Sequence, residues 1–232
     1  MVEFFAYNGL INAMVALVLG YYIVVYHRRE EIGKISLVMI IAFGLWSSGY
    51  WMWLSSQGPT EALFSARILS LGSTLIPVAF LHWVITFLNL TGQHKKLIRF
   101  AYLLTAIFLL FGFSKLFVES VEQVGTFPFW PQAGIFYHVY IIVSYIGFIG
   151  YGLILLWQHY IHEVGFMRKR FLYILVGMTI CSIGGLTNFF GWYGIPFPPY
   201  GNVITTLFVL VCAYAIIHYR DRISNMRLLG RM

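Results

Sequence analysis

Apolar residues run through this chain in seven blocks, separated by short polar pieces that hold the turn formers and nearly all the charge. The blocks extend over Phe4–Tyr26, Ile35–Leu54, Leu63–Leu90, Ile98–Val118, Ile135–Trp157, Phe171–Trp192 and Pro199–Tyr219. A helix rises ~1.5 Å per residue, so ~20 apolar residues cross the hydrocarbon core of a bilayer. No block shows the ~10-residue alternation of a membrane β-strand. The pattern predicts an all-α membrane protein. Its seven-transmembrane helix bundle fills residues 1–222, and a short basic cytoplasmic tail follows at 223–232.

Composition narrows the class. The 232 residues are 60% hydrophobic and 10% charged, whereas soluble domains carry about a quarter charged residues. That balance excludes a soluble enzyme, a secreted disulfide scaffold and a DNA-binding module. The net charge of +7 is spread over short flanks beside lipid headgroups. It forms no continuous surface for nucleic acid, so the bilayer is the expected partner and nucleic acid is not.

The same charges predict the direction of insertion, because Lys and Arg are retained on the cytoplasmic side. With the N-terminus outside, Arg28, Arg29, Lys34, Lys95, Lys96, Arg99, Arg168, Lys169, Arg170, Arg220, Arg222, Arg227 and Arg231 all lie inside. Only Arg67 and Lys115 of the fifteen positive residues remain outside. The expectation is N-out, C-in. Met1–Phe5 holds Glu3 and no positive charge, so no cleavable signal peptide is expected. Cys181 and Cys212 both fall within apolar blocks and predict packing, not a disulfide. Two outer loops, 119–134 and 191–201, mix prolines with aromatics and carry no positive charge. They predict short, stiff caps at the headgroup level.

Catalytic chemistry is not written here. Walker, HExxH and GxSxG motifs are absent, and no Cys or His pair has zinc spacing. All eight acidic residues lie near block ends, unlike the buried carboxylate of a proton-coupled transporter. The seventh block has no lysine for a retinal Schiff base. Of the histidines only His82 is well inside a block, which reads as an interhelical hydrogen bond and not as a haem ligand. No metal, cofactor or enzymatic activity is expected.

Polar residues in the outer halves of the blocks are the candidate site. Asn8 and Asn12 share a helical face, as do Trp46 with Tyr50, and His138 with Tyr145. Arg67, Ser70 and Thr74 form a stripe leading to Pro77, whose missing N–H frees a carbonyl one turn earlier. Asn188 and Asn202 lie near the outer ends of the last two blocks. One reading makes these an outward-facing pocket in which Arg67 holds an acid of a small-molecule ligand, or pairs with Glu61 or Glu119 without one. The other makes them interhelical hydrogen bonds, with Arg67 reaching the outer interface. The small-residue stripe Gly177, Cys181, Gly184, Asn188 predicts close helix packing.

Several stretches resemble a known family. They are Leu45-Trp46-Ser47-Ser48-Gly49-Tyr50, Ser65-Ala66-Arg67-Ile68-Leu69-Ser70-Leu71-Gly72 and Pro77-Val78-Ala79-Phe80-Leu81-His82-Trp83. Leu186-Thr187-Asn188, Gly194-Ile195-Pro196, Pro199-Tyr200-Gly201-Asn202 and the run Ala213–Arg220 continue the series. In order and spacing they resemble the N-terminal seven-transmembrane sensor region of bacterial histidine kinases, over residues 5–222. The resemblance implies a non-catalytic, multi-pass input module of the bacterial inner membrane. It would perceive an extracytoplasmic or membrane-borne signal for a cytoplasmic kinase or other output domain. Family members continue past the final Tyr-Arg segment into that domain, whereas this sequence runs to Met232. A rival reading is a structural or accessory subunit assembled with other membrane subunits; a transporter is the third.

Overall fold

The computed structural model describes residues 1–205 together with Leu207, Leu210, Val211 and Tyr214. Three long helices open the chain: α1 (Val2–Tyr26), α2 (Glu31–Leu54) and α3 (Pro59–Phe87). Small residues set their spacing. A Cβ on Gly49 would sit 2.5 Å from the Leu69 backbone, and one on Gly72 would press still closer to the Trp46 backbone. Those two contacts run in opposite order along α2 and α3, so the pair is antiparallel. Close backbone approach of this kind is a main source of helix association in lipid.

Helix α4 (Lys95–Phe111) leads to two strands, β1 (Val118–Val124) and β2 (Phe127–Ala133). A long rod then passes through α5 (Ile135–Tyr140), a π-helical stretch (Ile141–Ile149) and α6 (Gly150–His162). Helix α7 (Gly165–Leu186) and the single turn α8 (Phe189–Trp192) complete the labelled elements. Residues 201–205 are helical as well and belong to the last helix among the described residues. Among the described residues, five helices are long and apolar enough to cross a membrane: Val2–Tyr26, Glu31–Leu54, Pro59–Phe87, Ile135–His162 and Gly165–Trp192. Ten residues of the seventh predicted block, Cys212 and His218 among them, and the tail at 223–232 lie outside the described residues.

One expectation is refined and one needs correction. The described residues are mostly helical, as a helical membrane fold requires, and the loop at 119–134 is an antiparallel hairpin pairing Val118 with Ala133 and Val124 with Phe127. The turn explains it: Gly125 has φ 58°, and glycine at the first position of a two-residue loop matches the twist of paired strands. Pro128 and Pro131 lack N–H donors, yet a two-stranded sheet has only edges, where proline is tolerated. The fourth helix also stops at Phe111, short of the predicted Val118. Gly112 and Ser114 open a turn there, with the Ser114 hydroxyl donating to the Phe111 carbonyl at 2.7 Å.

The core has two parts, and α3 runs through both. At the hairpin end, Trp53, Trp130, Tyr137 and Trp192 are buried. Trp130 meets Trp53 and Phe127 edge-on at 4.9 and 4.7 Å, while Tyr137 stacks on Trp192 at 4.0 Å. Gly191 leaves the space that the Trp130 ring occupies. At the opposite end Trp83, Phe87 and Phe171 pack together. There the Trp83 indole donates to Ser36 Oγ at 2.9 Å, and His82 shares a 3.1 Å bond with the Tyr102 hydroxyl, tying α3 to α4. The opposite face of α1 is apolar and exposed, with Ile11, Leu17, Val18 and Tyr21 more than half accessible. Such a face matches hydrocarbon, not water.

Candidate functional site

A proline in α3 begins the site. Pro77 has no N–H to give the carbonyl of Ser73, four residues earlier. That carbonyl instead accepts the Tyr140 hydroxyl from the end of α5, at 2.7 Å. The orphaned backbone group is thereby satisfied from another helix, as buried carbonyls require. Just after Tyr140 the rod changes to i→i+5 pairing over Ile141–Ile149. π-helical turns are uncommon and concentrate at functional sites. Within this stretch Tyr145 donates to the Ser182 carbonyl of α7 at 2.7 Å.

The small-residue stripe of α7 faces the last helix. A Cβ on Gly184 would meet the Gly201 carbonyl at 2.8 Å, and one on Gly177 would meet Val211 at 2.5 Å. Cys181 Sγ lies 3.8 Å from the Ile204 carbonyl. Close packing is the role of this stripe. At its end the Asn188 amide nitrogen donates to Asn202 Oδ1 and also to the Gly185 carbonyl at 3.3 Å. Because both Asn188 N–H groups point at oxygens, the orientations of both amides are fixed. Thr205 Oγ1 donates to the Asn202 carbonyl at 2.6 Å and accepts from Asn12 at 3.3 Å. Asn12 also donates to Asn8 at 3.3 Å. One polar chain thus links α1, the last helix and the end of α7.

These elements surround a half-open cavity of about 80 Å³. Phe43 and Trp46 of α2 and Ser73 and Ile76 of α3 form one side. Tyr140, Tyr145 and Ile149 of the rod form a second. Cys181, Ser182, Gly185, Asn188 and Phe189 form a third, and Thr205 completes the lining. The space is between that of one buried water, ~10–15 Å³, and the ~150 Å³ of a benzene-binding cavity. Among the described residues no lining residue is charged. A smaller cavity of about 20 Å³ adjoins on the hairpin side, sharing Trp46, Ser73, Asn188 and Phe189 and bounded by Tyr50, Trp53 and Trp130.

The candidate residues divide accordingly. Trp46, Tyr145 and Asn188 line the main cavity, and Tyr50 lines the smaller one. Asn12 and Asn202 stand behind Thr205, and Asn8 one step further. The Tyr50 hydroxyl comes near Asn202 without a well-formed hydrogen bond. Ser70 and Thr74 are buried but turn their hydroxyls onto their own helix, to the Ala66 and Ser70 carbonyls at 2.8 and 2.7 Å. Arg67 lines neither cavity. It is half-buried, and its Nε is enclosed without a hydrogen-bond partner. Among the described residues no carboxylate pairs with it; Glu61 accepts the Gln57 backbone N–H at 2.9 Å instead. His138 is half-buried and bonds the Tyr193 hydroxyl at 3.0 Å, whose pKa partial burial holds above the usual range. The π-helical turns separate His138 from Tyr145, since they rotate the chain less per residue than the α-helix that would align them.

Ser73, Tyr140, Ser182 and Thr205 carry no mark in the sequence that would single them out as site residues, apart from the carbonyl freed by Pro77. Among the described residues no group of three His, Cys, Asp or Glu could hold a metal ion.

No curated protein matches this chain. The family described as the N-terminal 7TM region of histidine kinase matches residues 10–221. Together with five apolar membrane-length helices, that match makes this a multi-pass inner-membrane protein. The matched region is the non-catalytic input part of such kinases. The chain belongs to the family of N-terminal seven-transmembrane regions of histidine kinases.

Proposed function

We propose that the chain is a seven-span receptor with its N-terminus and hairpin outside and its C-terminal end in the cytoplasm. Residues 1–222 form the sensing bundle and 223–232 the cytoplasmic tail. The cavity receives a small molecule from the outer or membrane side, and the last helix carries the response toward a cytoplasmic kinase or other output domain. One observation supports this reading above the accessory-subunit alternative. The cavity wall includes Thr205, whose side chain sits in the polar chain joining the last helix to α1 and α7. A ligand that fits one arrangement of these helices better than another shifts the balance between them.

Joining the chain to a cytoplasmic histidine kinase core tests this. Ser182→Leu, which fills the cavity, should change autophosphorylation in membrane vesicles at least threefold. Output unmoved by cavity filling, with the chain migrating in a stable complex of other membrane subunits, would support the assembly role instead.

A further inference from the structure

The polar wall of the main cavity is nearly all hydrogen-bond acceptor. Each hydroxyl there has one proton, and each proton is already given away. Tyr140 donates to the Ser73 carbonyl and Tyr145 to the Ser182 carbonyl. Ser73, Ser182 and Thr205 donate to the carbonyls of Ser70, Met178 and Asn202. A hydroxyl that has spent its proton still accepts through its lone pairs. Asn188 is in the same condition: its amide protons go to Gly185 and Asn202, while its Oδ1 is buried without a partner. The residue is 8% exposed and lines the cavity. A buried acceptor left without a partner is unfavourable. Of the lining side chains among the described residues, only the Trp46 indole keeps an N–H that is not directed to a protein acceptor.

From this balance of donors and acceptors we infer that the cavity binds a small uncharged molecule through a hydroxyl group, a short-chain alcohol. Its O–H donates to one of the hydroxyl oxygens of the wall or, after a small shift of the side chain, to Asn188 Oδ1, and its oxygen can accept the Trp46 N–H. The remainder of the ligand lies against Phe43, Ile76, Ile149 and Phe189. Charge is selected against on both signs. An anion would face a wall of lone pairs, and a cation would lose its hydration without a carboxylate to replace it. The volume suits a short aliphatic body. This inference rests on the receptor reading only for its biological meaning; the binding chemistry is tested separately.

The experiment uses the whole chain in nanodiscs and four probes with equal numbers of heavy atoms or nearly so. They are 1-butanol, methyl propyl ether, 1-butylammonium and butanoate, followed by saturation-transfer NMR at neutral pH. Partition into lipid is removed by subtracting the signal of two independent cavity-filled variants, Ser182→Leu and Ser73→Leu. The expected result is a cavity-specific signal for 1-butanol at least fivefold above the ether, with neither ion above background. In Asn188→Asp, which places a carboxylate in the wall, the preference should move to 1-butylammonium. Equal binding of alcohol and ether, stronger binding of either ion to the unaltered protein, or no signal lost on filling would each overturn the inference. Those outcomes leave the kinase-fusion result standing on its own. Conversely, a silent fusion with selective alcohol binding would remove the receptor reading and keep the site.

Discussion

The Tyr140 hydroxyl is bonded at 2.7 Å to the Ser73 carbonyl, the backbone oxygen that Pro77 deprives of its helical partner. The two residues lie on different helices, so a local defect in α3 becomes a link between α3 and the rod. Tyr140→Phe should therefore lower stability by about 1 kcal/mol, the usual net value of such a bond. In a Pro77→Ala background the restored N–H satisfies Ser73, and the same change should cost at least ~0.5 kcal/mol less. Thermal unfolding of the four proteins in detergent gives the coupling. Purely additive effects would show that Tyr140 does not replace the missing helical bond.

Packing of α7 against the last helix gives a second expectation. Gly184→Leu drives bulk into the Gly201 backbone, and overpacking of this kind costs typically ~1–3 kcal/mol. A Cβ added at Gly150 would meet nothing within 4 Å, so Gly150→Ala should hold or raise the melting temperature. If the two variants melt alike, the contact between α7 and the last helix does not carry stability.

The hairpin supplies a third. Gly125 has a positive φ of 58°, which β-branched residues adopt only under strain. Gly125→Val should open the turn and make residues 119–133 cleavable by added protease, while the helices remain protected. Trp130→Ala should cost more, about 3–5 kcal/mol, because a buried ring is lost from beneath the hairpin. A hairpin equally resistant in Gly125→Val and in the unaltered protein would show that the turn does not depend on glycine.

Topology is a fourth. The thirteen-to-two division of Lys and Arg predicts that a tag before Met1 is reached from outside the membrane and a tag after Met232 only from inside. Cleavage of the C-terminal tag by protease added to intact cells stripped of their outer wall would reverse the proposed direction of signalling.

Much of the architecture is legible in the residues. Long apolar runs predict α1, α2, α3, the rod and α7 because helices in lipid satisfy their own backbone groups. The Gly177–Asn188 stripe predicts a tight interface, and Pro77 predicts a free carbonyl near the site. The hairpin is harder to read, since β2 is written as Phe-Pro-Phe-Trp-Pro, a pattern common to headgroup-level loops. The π-helical register leaves no periodic mark in an apolar run whose every face is greasy. It turns Tyr145 to the cavity and leaves His138 off its lining. Arg67 draws attention by its charge, yet the cavity is built from Ser73, Ser182 and Thr205, which look like ordinary packing residues until the helices around them are assembled.

The π-helical stretch between Tyr140 and Gly150 also has a mechanical meaning. A run of i→i+5 turns holds slack that an α-helix lacks. If that run slides by a turn, hydrogen-bond partners are exchanged one for one, and the ends of the rod stay where they are. What changes is the azimuth of the side chains in between, among them Tyr145 and Ile149. The rod can therefore work as a crankshaft in place of a piston, turning its middle against α3 and α7 without being pushed through the membrane.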